Sequence, residues 1–284
     1  MALPLIVGVD GSKPSLAAAE WAATEATLTG APLRLIFAHW LLPEGKPLPA
    51  DYDHLQAEVM KMLARIAEEL RTKHLGLHID CELVAGTAIN QLLSTAETGS
   101  TLVIGSRGSG GFAALLLGST ALNIVAGAEH PVVVVRAHDD PRLPRHEMVL
   151  GLEAGPGREP VIEFALAEAE RRSAPLRVVH AWMPPFLWTT GPIPPGEAER
   201  AAAEDHVEQQ LRDEVMPLAE KYPHVQVHFD SRMGNAAHVM VDEANHALLL
   251  VLGRRRHRPI SALGPVTHAA IHYGHGPIAI VPHS

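Results

Sequence analysis

Leu5-Ile6-Val7-Gly8-Val9-Asp10-Gly11-Ser12 is an unbroken apolar run that stops in turn residues. A strand covered on both faces shows this continuous pattern, whereas a half-solvated one alternates. Pro14 stands where a helix would start, and an alanine-rich segment runs from it to Gly30. The same grammar continues outward. Leu33 to His39 reads as a second strand, and 51–74 has helical spacing, with Val59, Leu63, Ile66 and Leu70 on one face. Leu77 to Val84, Thr101 to Ile104 and Val132 to Val135 read as the third to fifth strands. Between them lie helices from Ala88 to Glu97 and from about Ser119 to Ala128. Strands alternating with helices predict an α/β fold with an open five-stranded parallel sheet covered on both faces.

The order then repeats. Met148 to Gly155 matches Leu5 to Ser12, and Val179-His180-Ala181-Trp182 matches Phe37-Ala38-His39-Trp40. Met233 to Ala236 matches Ala85 to Ala88. Leu249 to Gly253 matches Thr101 to Gly105, and Gly276 to Val281 matches His130 to Val135. Self-similarity in one order predicts two tandem domains, 1–138 and 146–284, joined by a proline-containing linker from His138 to His146. A length of 284 residues suits two domains of ordinary size, and 47% hydrophobic residues suffice for two cores. With only 4% aromatics, those cores must be built from Ala, Val, Leu and Ile. A net charge of -9 argues against nucleic-acid and anionic-membrane partners. The single Cys81 excludes an internal disulfide, and neither a signal peptide nor an apolar span is evident, so the expected location is cytoplasmic.

Ligands of open parallel sheets bind beyond the carboxyl ends of the strands. Asp10, Trp40, Gly86 and Gly105 all fall at such ends. After the fourth strand comes Gly105-Ser106-Arg107-Gly108, then nine residues, then Gly118-Ser119-Thr120. Glycines let a phosphate approach the backbone, and a helix start offers free amides and a favourable dipole. The plain alternatives are a ligand-free glycine loop, a turn or cap role for Asp10, and a solvent-facing Arg107. Gly108-Ser109-Gly110 followed by Ala113 also fits a dinucleotide pattern, but it follows the wrong strand and lacks the ribose-binding acid. The chain contains no P-loop motif.

Together, Val9-Asp10-Gly11-Ser12 at the first strand end and the gapped Gly105–Thr120 motif resemble the universal stress protein family. The whole chain resembles its tandem-domain actinobacterial type. The resemblance implies two Rossmann-like domains of the adenine nucleotide alpha hydrolase-like kind, with ATP, and magnesium with it, as cofactor. It implies that Val9, Asp10 and Gly11 meet the adenine or ribose and that Trp40 lies near the base. Gly86 joins this set as a strand-end residue, and Gly105, Arg107, Gly108, Gly118, Ser119 and Thr120 would hold ribose and phosphates. Family members pair through their last strands, which implies an internal pairing of Val132–Val135 with Ile278–Val281, and a homodimer. A non-catalytic regulator of stress or growth that meets a protein partner is the function implied. A slow ATPase or nucleotidyl-transfer enzyme and a nucleotide-free scaffold are the alternatives.

The second half departs from this pattern. Glu153 replaces Asp10, Arg256 replaces Gly108, and Pro265 replaces Ser119, removing an amide and a hydroxyl. Nucleotide binding is therefore expected in the first half alone. Arg254, Arg255, Arg256 and Arg258 either hold another anion or form a solvated basic loop, the reading taken here. His268 and His272 stand four apart on a helix, but no partner completes a metal site, and none is expected. His39 and His180 end equivalent strands and read as structural. The segment Met183 to Pro195, with Phe186 and Trp188, reads as a rigid connection.

Overall fold

Continuous Val/Ile/Leu strands need cover on both faces, and alternating helices supply it. The computed structural model describes residues 3–39, 52–96, 100–108, 117–137, 146–183, 197–256 and 263–284. The chain divides into two units, Met1–Asp140 and Pro141–Ser284. The first unit contains strands β1 (Leu5–Gly8), β2 (Leu33–His39), β3 (Ile79–Ala85), β4 (Thr101–Gly105) and β5 (Val132–Val135). Its helices are α1 (Lys13–Thr29), α2 (Tyr52–Lys73), α3 (Ala88–Thr95) and α4 (Ser119–Gly127). Every strand pair is parallel, in the order β3-β2-β1-β4-β5. The chain moves outward from β1 to β3 and then crosses back to β4. The topological switch therefore lies between β1 and β4.

The second unit repeats this with β6 (Met148–Gly151), β7 (Leu176–Trp182), β8 (Val227–Met233), β9 (Leu249–Arg255) and β10 (Ile278–His283). Its helices are α5 (Glu159–Arg171), α6 (Glu197–Ala219), α7 (Ala236–His246) and α8 (Pro265–Tyr273). The order is β8-β7-β6-β9-β10, again all parallel. Leu5 pairs with Leu33 and Thr101, and Met148 pairs with Leu176 and Leu249. The repeat read from sequence is thus a repeat of register.

Helix α1 shows how the low aromatic content is used. Its buried face is Ser15, Ala18, Ala19, Ala22, Ala23, Glu25 and Ala26, so the helix approaches the sheet closely. Ser12 caps it, its Oγ accepting from Ser15 N at 3.3 Å, and Gly30 ends it in the left-handed region at φ 64°. Strand β3 begins at Ile79, not Leu77: Leu77 N still donates to His74 O (3.2 Å) in the turn that closes α2.

Candidate nucleotide site

Val9 extends the line of β1, and its buried amide donates to Ile36 O at 2.9 Å. The chain then turns. Asp10 Oδ1 accepts from Ser12 N at 3.0 Å, and Asp10 N donates to Ser15 Oγ at 3.3 Å. Gly11 takes φ 79° inside this turn. Ser12 does double duty: besides capping α1, its hydroxyl donates to Arg107 O at 3.3 Å. One side chain therefore ties the end of β1 to the loop that leaves β4.

The β4 loop is fixed from the other side as well. Ser106 is buried; its amide donates to Val135 O (2.8 Å) and its carbonyl accepts from Gly118 N (2.8 Å). The start of α4 is thereby held beside the end of β4. A Cβ on Gly105 would lie 2.6 Å from Pro14 C and 2.7 Å from Ser15 N, so only glycine lets the first turn of α1 pack there. A Cβ on Gly108 would lie 2.6 Å from Asp10 Oδ2. Gly108 thus leaves room for the Asp10 carboxylate. Gly118 is different. It has φ -77°, and a Cβ there would make ordinary contacts of 3.5 Å.

Gly118 is the N-cap of α4, with no side-chain cap. The first amide bonded back into the helix is Leu122 N, to Gly118 O at 3.1 Å. The amides of Ser119, Thr120 and Ala121 precede it and have no acceptor within the helix. Ser119 and Thr120 are exposed. Arg107 and Arg136 gather at the same corner: burial, and then the nearby Arg107 guanidinium, work against the charge on Arg136. A helix terminus and two close guanidiniums make a corner that favours an anion.

The structure therefore brings Val9, Asp10, Gly11, Gly105, Arg107, Gly108, Gly118, Ser119 and Thr120 to one end of neighbouring strands. Gly86 stands elsewhere on that end. Its amide donates to His39 O at 2.9 Å, and β2 separates its strand from β1. Trp40 lies outside the described residues, as do Phe186, Trp188 and Arg258. Sequence reading missed Arg136 and Ser106. A lone arginine directly after Val132–Val135 at a strand end was the available signal for the first; nothing in the sequence marks the second.

The second unit is built differently at the matching place. Arg254 and Arg255 are not loop residues. Strands β9 and β10 stay paired through Pro282↔Arg254 and His283↔Arg255, and Arg254 is only 9% exposed. This corrects the solvated-loop reading for Arg254. The turn after β6 is longer, and in it Glu153 pairs with Arg158 at 3.3 Å. His268 and His272 stack ring on ring at 4.2 Å, and His180 Nδ1 lies 2.8 Å from Leu152 O.

Two units, each with five parallel strands in the same order and helices between them, define a tandem α/β protein. The chain belongs to the universal stress protein family: the family model matches residues 1–136 and again 145–282. A universal stress protein of Mycolicibacterium smegmatis is 32% identical over 262 residues, covering 88% of this chain and 86% of the relative. Universal stress protein Rv1996 of Mycobacterium tuberculosis is 28% identical over 306 residues, covering 98% and 94%. Among solved structures, a universal stress protein from Archaeoglobus fulgidus aligns over 98% of both chains with a TM-score of 0.69. At 16% identity that likeness is one of fold. No helix among the described residues is long and apolar enough to cross a membrane.

Proposed function

We propose that the first unit binds one ATP at the β1–β4 switch and that the chain acts as a nucleotide-responsive regulator. The observation that carries this reading is the start of α4. Its first-turn amides lack intrahelical acceptors, and Ser106 holds them beside Arg107 and Arg136. That end suits the phosphates, and the turn of Val9, Asp10 and Gly11 suits the ribose and base. Magnesium would ride on the phosphates, as this ion commonly does with few protein ligands of its own. Bound ATP would supply charge and bulk at a place where α1, β4 and α4 meet, and so could alter the surface offered to a partner.

Binding without fast turnover is the favoured reading. Asp10 is the carboxylate that the described residues place at this corner, and one of its oxygens is already engaged by Ser12 N. Equilibrium dialysis of labelled ATP with the full chain tests the proposal. Saturable binding near one per chain, weakened at least tenfold by Asp10→Ala, is expected. No saturable binding, or binding indifferent to that change, overturns it. ATP turnover well above that of the Asp10→Ala protein would replace the regulator with an enzyme.

A further inference from the structure

The second unit contains a cavity of about 590 Å³ at the carboxyl ends of its own strands. That volume is ordinary for a small-molecule site. The strand order polarises it. On one flank of β6, β7 contributes Val179 and Trp182. On the other, β9 and β10 contribute Arg254, Arg255 and His283, and Arg158 reaches in from the start of α5. Both Arg158 and Arg254 are more than nine-tenths buried. Among the described residues the wall carries three arginines against one acid, Glu153, whose side chain is 79% exposed and paired with Arg158.

We infer that this cavity is a second binding site, built for a small organic anion with a flat apolar body and a short, single anionic head. Two further features support it. Trp182 lines the β7 side of the wall, and its indole supplies apolar surface for a flat body. His283 is pushed toward its neutral form by burial and by the charges of Arg158, Arg255 and Arg254, a crowding that an anion would relieve. A triphosphate suits the place poorly. The backbone cradle is replaced by a continued strand, and Pro265 takes one amide from the start of α8. Guanidinium forks match a carboxylate or phosphate head directly.

Isothermal titration calorimetry of the full chain with 4-nitrophenyl phosphate tests the inference. An Asp10→Ala/Ser119→Pro background disables the first unit's corner. Saturable binding near one per chain is expected there, at least tenfold weaker with Arg254→Met. Ala236→Trp, a change on the first turn of α7 that fills the cavity, should abolish it even if Arg254→Met fails to fold. 4-Nitrobenzoate binding as tightly as the phosphate would show that a carboxylate head suffices; much weaker binding would identify a phosphate. No saturable heat, unchanged binding in both cavity variants, or equal binding of neutral 4-nitrobenzyl alcohol would overturn the inference.

Discussion

Three glycines of one motif do three separate jobs. Gly105 makes room for backbone, Gly108 makes room for Asp10, and Gly118 only starts a helix. Gly105→Ala should therefore cost about 2 kcal/mol, as overpacking of a rigid contact does. Urea unfolding measures it, and an unchanged midpoint would refute the packing account. Ser119→Pro should behave in the opposite way. Gly118 already has ψ 149°, which suits a residue before proline, and N1 of a helix tolerates proline. Stability should hold while ATP affinity falls about tenfold, for one lost charge-assisted hydrogen bond. Undiminished affinity would show that the Ser119 amide takes no part. At this scale the sequence showed which residue types could serve a phosphate. It did not show that Gly108 answers to Asp10, because that pairing exists only once two strand ends meet.

At the scale of elements, the decisive difference between the halves is where a strand stops. Strand β4 ends at Gly105, and the chain departs into its loop; β9 runs to Arg255. Pro282 falls inside the paired stretch. Proline forfeits only its donor, and the ladder resumes with Arg256 N donating to His283 O at 2.8 Å. That is why a run of arginines that looked solvated carries a buried member. A second element-scale device is the ion network on β7. Arg177 pairs with Glu147 (2.9 Å), Asp230 (2.8 Å) and the buried Glu243, and Arg232 reaches Asp230 and Glu243. Arg177→Met would leave Glu243 with Arg232 alone. A loss of roughly 3 kcal/mol is expected, because a buried charge loses its main partner. Burial alone would raise the Asp230 carboxyl, but hydrogen bonds from Arg232 and Arg177 outweigh it and hold it below the ordinary value. A carboxyl lowered on folding stabilises the fold above the unfolded-state pKa, about 3.9. That contribution is lost as pH falls through the folded value. Acid titration of unfolding should show this loss in the wild type and a shallower one in Asp230→Asn. Identical profiles would deny Asp230 the role.

At the scale of the whole molecule, the duplication was plain from sequence, since continuous apolar strands and their turn residues recur in one order. The shared register of Leu5 and Met148 with their neighbours is its structural form. What the sequence concealed was the fate of the second copy. Substitutions that remove a phosphate cradle look like decay when read one at a time. In three dimensions Arg158, Arg254 and His283 come from three distant segments and meet at one cavity. The central claim is that the copies have diverged, with the nucleotide held by the first. A crystal structure of the full chain grown with ATP and magnesium tests this most directly. The account predicts nucleotide density in the first unit, with phosphates at the Ser119–Ala121 amides and beside Arg107, and the base near Val9 and Asp10. Density for ATP in the second unit's cavity with the first unit's corner vacant would contradict it.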